Sequence, residues 1–179
     1  MALLGVGAIG RKVIELLRPF HLRVVVFDPF ITAEQAAGLG VEKVSLEEAF
    51  GRGCVVSNHL ANVPETVGLL DAPLFASMRR NATFINTARG ATVKESGLLS
   101  VLSDRADLMA LLDVTDPEPP ETGSPLYTLP NIRLSTHIAG SLGDEVVRLT
   151  DLCILDFKTW SATGRPEHQI TLEMLERLA

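Results

Sequence analysis

The chain has 179 residues, 46% hydrophobic and 21% charged, and 16 Lys and Arg against 22 Asp and Glu give a net charge of −6. That is enough for one domain with a sizeable core; it excludes a disordered acidic chain and offers no basic surface for nucleic acid. No apolar run approaches the roughly 18–20 residues of a membrane-spanning helix, and Met1-Ala2-Leu3-Leu4 runs directly into a glycine pattern, so neither a membrane anchor nor a secretory leader is expected. Two distant cysteines, Cys54 and Cys153, make neither a disulfide framework nor a zinc site. They read as small core residues in a reducing, cytoplasmic setting, and no metal site is expected.

In chain order, strands are expected at Ala2–Leu4, Arg23–Phe27, Glu42–Val44, Cys54–Ser57, Thr83–Asn86, Leu108–Leu112 and Ile132–Ser135. Their short apolar runs suit strands covered on both faces. Helical segments lie between them. Ile9–Leu17 follows the first strand, and Thr32-Ala33-Glu34-Gln35 and Ser45-Leu46-Glu47-Glu48 read as capping boxes that open two more. Gly38 and Gly40 stop the first of these and Gly51 and Gly53 the second. Thr115 to Pro125 carries four prolines and is expected to be a rigid loop. A long helix from about Leu142 to Trp160 follows, closed by Gly164-Arg165-Pro166, and then a short amphipathic segment, Thr171 to Leu178. Alternation of this kind predicts an α/β protein with a doubly wound, mostly parallel seven-stranded sheet and helices on both faces.

Gly5-Val6-Gly7-Ala8-Ile9-Gly10 sits between the first strand and its helix. In such a turn the glycines make the bend, let the backbone approach a pyrophosphate, and pack helix on strand, while the helix N-terminus presents free N–H groups to the phosphates. The second strand ends at Asp28, 18 positions after Gly10, placed to accept from adenosine ribose hydroxyls. The pattern is that of a Rossmann-type dinucleotide site. Pro29 and Phe30, rather than Arg, follow Asp28, so NAD is expected over NADP.

Several segments together resemble the D-isomer-specific 2-hydroxyacid dehydrogenase family: Gly5–Gly10 with Asp28; Asn86-Thr87-Ala88-Arg89-Gly90; Asp113 to Pro119; Thr136-His137-Ile138-Ala139-Gly140; and, more weakly, Val55–His59 with Pro64-Glu65-Thr66. The resemblance implies an oxidoreductase that moves hydride between NAD and a small 2-keto or 2-hydroxy acid, and a homodimer joined through the cofactor domain. It implies that Arg89 grips the substrate carboxylate through a bidentate fork. His137 is then the acid–base group, and Glu118 the carboxylate that orients its imidazole. Asp113 lies near the nicotinamide end, and Thr87, Ala88, Ala139 and Gly140 line the cofactor. Independently of the family, Arg89, Glu118 and His137 each follow an expected strand, so all three fall on the sheet edge where Gly5–Gly10 lies.

Taken singly, Arg89 reads equally as a surface residue at a glycine turn, Glu118 as a solvated loop charge and His137 as a helix-start histidine. His59 reads as a packed structural residue, and His21 and His168 as exposed loop residues. Glu118 argues against formate dehydrogenases, which resemble this pattern but carry Gln there. The family's substrate domain is encoded largely by roughly a hundred residues before the glycine turn, whereas Met1 stands four residues before Gly5. The division expected is therefore a dinucleotide-binding domain over 1–165 and, over 166–179, the return segment of a substrate domain otherwise absent. Two other readings follow: a dinucleotide-binding module without catalysis of its own, and a corepressor-like protein whose contacts respond to NADH.

Overall fold

In the computed structural model, which describes residues 1–175, seven strands form one all-parallel sheet. They are β1 (Ala2–Leu4), β2 (Val25–Phe27), β3 (Glu42–Lys43), β4 (Val55–Asn58), β5 (Thr83–Asn86), β6 (Met109–Leu112) and β7 (Ile132–Leu134), in the order β3-β2-β1-β4-β5-β6-β7. This is the Rossmann-type α/β arrangement, with its switch of direction between β1 and β4. β2 begins two residues later than expected because its partner begins at Ala2; Arg23 instead accepts a hydrogen bond from the Met1 ammonium at 2.7 Å.

Alternate residues of β1 enter two cores. Leu3 packs with Val26 of β2 and with helices α1 (Ala8–Leu17) and α2 (Ala33–Gly38), through Ile14 and Ala36. Ala2 and Leu4 face the larger core, built with α3 (Leu46–Arg52), α4 (Ala72–Ala76) and α5 (Glu95–Asp104). There Phe75 meets Phe50 and Phe84 edge-to-face, at centroid distances of 5.5 and 5.0 Å. Helices thus lie on both faces. On the α1 side, however, Val55, Ile85, Met109 and Leu111 of β4–β6 belong to neither core, and Met109 is exposed.

Both capping boxes form. Thr32 Oγ1 accepts from the Gln35 N–H and Ser45 Oγ from the Glu48 N–H, while each third-position side chain returns a bond to the cap. Gly38 ends α2, whereas Gly51 lies inside α3 and Gly53 closes it in an extended conformation. Cys54 and Cys153 are both exposed, which corrects the expectation of core fillers: Cys54 stands just outside β4, where the sheet no longer covers it, and Cys153 lies on a helix with no buried face.

The chain divides into two compact units, Met1–Thr136 and a second that begins at His137. The second holds α6 (Asp144–Thr163) and α7 (Leu172–Leu175). α6 starts two residues later and runs three residues further than expected, ending at Gly164, whose φ of +75° and N–H bond to the Trp160 carbonyl make a left-handed cap. Asp156 Oδ1 accepts from the Glu167 and His168 N–H groups and ties the following loop to the helix. The last three residues of the expected amphipathic segment, 176–178, lie outside the described residues.

Candidate functional site

Strand register draws the carboxyl edge of the sheet as a single row. Phe27, Leu4, Asn58, Asn86, Leu112 and Leu134 are aligned partners across six strands. One residue further along each strand come Asp28, Gly5, His59, Thr87, Asp113 and Ser135. Four of the expected site residues therefore stand in one line beside the switch point, where open α/β sheets hold their ligands.

The glycine turn is built by close approach. Gly5 has φ +91°, and a Cβ on it would lie 2.4 Å from the His59 carbonyl oxygen. A Cβ on Gly10 would lie 2.1 Å from the Gly5 carbonyl oxygen, so α1 packs on β1 only with glycine there. Gly7 differs: nothing lies within 4 Å of where its Cβ would be. Gly7, Ala8 and Ile9 are exposed, and no side chain caps the N-terminus of α1. Its first N–H groups and its dipole thus face open space, an arrangement that fits a pyrophosphate.

Asp28 is buried and closes the other side of this turn. Its Oδ2 accepts from the Val6 N–H at 2.6 Å, and its Oδ1 accepts from Phe30 at 2.7 Å and Ile31 at 3.2 Å. Three donors leave a carboxylate with about one of its four lone-pair sites. Asp28 therefore fixes the turn as well as offering an acceptor, a structural role that sequence reasoning did not assign.

Arg89 is exposed, with Nη1 donating to the Ala88 carbonyl at 2.8 Å; Thr87 is exposed and Ala88 half-buried. Gly90 is buried against the proline-rich loop, and a Cβ there would fall 2.0 Å from the Thr115 carbonyl carbon and oxygen. The loops that carry Arg89 and Glu118 are thereby packed together. Within the second loop Thr115 Oγ1 donates to the Pro117 carbonyl and the Tyr127 hydroxyl to the Pro120 carbonyl. Glu118 itself is exposed. Asp113, buried at the end of β6, accepts from Ser135 Oγ at 2.6 Å.

Beneath Arg89 lies a buried polar cluster that the sequence reading passed over. Asn58 Nδ2 donates to Asn86 Oδ1 at 3.0 Å and to Thr92 Oγ1 at 2.8 Å, and its Oδ1 accepts from the Leu60 N–H. Asn86 Nδ2 and Thr92 Oγ1 both donate to the Arg89 carbonyl, at 3.2 and 2.8 Å. Two polar residues closing adjacent strands, Asn58 and Asn86, were the available signal. His59, next in the row, is half-buried with Nε2 2.9 Å from Ser57 Oγ, and burial holds its imidazole below the ordinary pKa. That agrees with a packed residue.

His137 opens the second unit and is described within it. It is exposed, and its φ of +57° puts a non-glycine residue in the left-handed region. Such backbone is uncommon and concentrates at functional positions. Ala139 and Gly140 follow, both exposed. Among the described residues no cluster of three or more His, Cys, Asp or Glu could hold a metal ion, and no helix is long and apolar enough to cross a membrane.

Comparison with known proteins agrees with this geometry. Residues 1–139 match the family model of the D-isomer specific 2-hydroxyacid dehydrogenase, NAD binding domain. The D-3-phosphoglycerate dehydrogenase of Mycobacterium tuberculosis is 33% identical over 144 residues, which cover 80% of this chain and 27% of that protein. A crystal structure of a phosphoglycerate oxidoreductase from Rhizobium etli superposes with a TM-score of 0.82 at 27% identity, over 96% of this chain and 51% of that one. The NADPH-dependent glyoxylate/hydroxypyruvate reductase of Sinorhizobium meliloti, solved with NADP and sulfate, superposes with a TM-score of 0.80 at 25% identity, over 97% and 55%. The chain spans about a quarter of the first of these relatives and about half of the solved ones. A glycine turn, a closing aspartate and a seven-stranded parallel sheet, matched along residues 1–139, make this chain a member of the D-isomer specific 2-hydroxyacid dehydrogenase family through its NAD-binding domain.

Proposed function

We propose that this chain is the cofactor-binding part of an oxidoreductase that interconverts a small 2-keto acid and its 2-hydroxy acid. The observation that carries the reading is the edge row: an uncapped helix N-terminus open at Gly7, an acceptor at Asp28, and the Arg89 loop on the same rim. Gly5, Gly7, Ala8, Ile9 and Gly10 hold the pyrophosphate, and Asp28 takes a ribose hydroxyl. Thr87, Ala88, Arg89, Asp113, His137, Ala139 and Gly140 line the remainder. A carboxylate at Asp28 repels a 2′-phosphate, which favours NAD, although the Sinorhizobium relative was solved with NADP. When bound, the cofactor supplies or accepts the hydride.

The chain's own groups do the rest. Arg89 binds the substrate carboxylate in two parallel charge-assisted bonds and leaves the 2-carbon facing the cofactor. His137 donates a proton to the forming alkoxide and removes it in the reverse direction. Glu118 orients that imidazole. Residues 1–165 form the cofactor domain and 166–179 the return segment of a substrate domain. The protein acts as a cytoplasmic homodimer.

The test is NADH oxidation by the 179-residue chain with glyoxylate, hydroxypyruvate, pyruvate and 3-phosphohydroxypyruvate, beside an NADH fluorescence titration. Saturable turnover that falls by about 10²-fold or more in His137→Asn and Arg89→Met supports the reading. NADH binding without turnover leaves a dinucleotide-binding module, and absence of NADH binding overturns both.

A further inference from the structure

Asn58, Asn86 and Thr92 are fully buried or nearly so, at 0%, 1% and 0% exposure, and their side chains bond to one another and to the Arg89 loop. The chain of contacts runs in one direction. Asn58, held by the Leu60 N–H at 3.1 Å, donates to both Asn86 and Thr92. Asn86 Oδ1 then accepts from the Ala88 N–H at 3.1 Å, and its Nδ2 reaches the Arg89 carbonyl. Thr92 Oγ1, its lone pair occupied by Asn58, spends its proton on the same carbonyl. The peptide after Arg89 and the Thr87–Ala88 peptide are therefore held from beneath by Asn86 and Thr92, which Asn58 in turn holds. Arg89 itself is exposed, and its guanidinium donates to the Ala88 carbonyl. A long exposed side chain keeps a defined aim only if its backbone is held.

We propose that Asn58 and Thr92, acting through Asn86, are positioning residues that set the direction of Arg89 toward the substrate carboxylate; the proposal rests on the reading of Arg89 given above. Buried networks of this kind are sensitive to a single deletion, because each lost hydroxyl or amide leaves partners unsatisfied in a low-dielectric site. Thr92→Val keeps the shape of the side chain and removes only its hydrogen-bonding oxygen, so the fold is retained while two bonds are lost. Thr92→Ser restores them.

Two measurements on the full chain separate this proposal from the reading beneath it. The first is amide hydrogen exchange. Thr92→Val and Asn58→Ala are expected to accelerate exchange across Thr87–Val93 by about tenfold, leaving Ala2–Leu17 unchanged, and Thr92→Ser to return it to the parent rate. Unchanged exchange in Thr87–Val93, or acceleration spread equally over Ala2–Leu17, overturns the tether. The second is oxamate, a carboxylate mimic of a 2-keto acid, titrated into the NADH complex. Thr92→Val is expected to weaken oxamate by about tenfold with NADH affinity unchanged. Equal loss for both ligands, or for neither, overturns the positioning role. Absence of oxamate binding in the parent chain, with the exchange effect intact, instead overturns the assignment of Arg89 as carboxylate ligand and the positioning role that rests on it.

Discussion

Gly7 and Gly10 stand three positions apart in one turn and answer to different constraints. The Cβ of an alanine at Gly10 would press on the Gly5 carbonyl at 2.1 Å, which only a backbone shift can relieve. Overpacking of that kind costs about 1–3 kcal/mol. At Gly7 the same methyl meets nothing, and φ of −71° suits any residue. Gly10→Ala is therefore expected to lower the melting temperature by several degrees, about 2–4 °C per kcal/mol at this chain length. Gly7→Ala is expected to leave it unchanged and to weaken NADH by about tenfold or more, because the methyl fills the space a phosphate needs. Thermal unfolding and NADH titration of the two variants check this; equal melting loss in both would contradict it. His59 gives a second prediction. Burial depresses its pKa below the ordinary 6.5, so its neutral form is the one the fold accepts. The stability it contributes is present above about pH 6.5 and is lost as pH falls from there through the depressed folded value. Melting curves from pH 8 to pH 5 should show a steeper loss in the parent than in His59→Asn, and parallel curves would remove this role. Residue identities were readable at Gly5, Gly10 and Asp28 because a turn and an acceptor leave local signatures. That Asp28 spends three bonds on Val6, Phe30 and Ile31 was not readable, since a carboxylate's partners depend on where the next loop folds back.

At the scale of elements, the contact between two loops decides how the candidate groups share the rim. Gly90 closes the β5 loop against Thr115 and Asp116, so the peptide after Arg89 and the peptide before the Glu118 loop are in van der Waals contact. Gly90→Ala drives a methyl to 2.0 Å of that carbonyl, and one of the two loops has to yield. The expected outcome is a melting temperature lowered by several degrees together with weaker oxamate binding, since displacement of either loop turns its charged side chain. Loss of stability with oxamate affinity intact would contradict this coupling of the two loops. Helix starts were legible from Thr32 and Ser45 because a capping box is a local chemical device, and both form as read. Strand ends were less so. β2 and β6 each open later than their apolar runs suggest, because a strand lasts only as long as its neighbour offers hydrogen-bonding partners, which no local pattern records. The Asn58–Asn86–Thr92 cluster was hidden for the same reason: its members are 28 and 34 positions apart and meet only across the sheet.

Over the whole molecule, the two cores account for unit Met1–Thr136, whereas α6 has no core of its own. None of its residues is buried, and Val147, Leu149, Leu155, Phe157 and Trp160 are each at least half exposed. They lie around the helix rather than along one stripe, and a helix apolar on several sides is stable in water only when something covers it. The helix is nevertheless well specified: Asp144 and Glu145 complement its N-terminus, Glu145 pairs with Arg148, and Gly164 caps its end. A sequence that invests in both ends of a helix and leaves apolar side chains outward is suited to association, and a second copy of this chain is the partner the proposed homodimer requires. Sedimentation of the 179-residue chain is therefore expected to give twice the chain mass, with a concentration-dependent melting temperature. Leu149→Glu combined with Phe157→Lys places charge on this helix and alters no residue of either core, so it should yield a monomer whose unit Met1–Thr136 still binds NADH. A parent chain that stays monomeric as its concentration is raised would refute the dimer. A monomeric variant that loses NADH binding would instead mean that association and the cofactor edge are coupled, and that the glycine turn is organised only in the assembled protein.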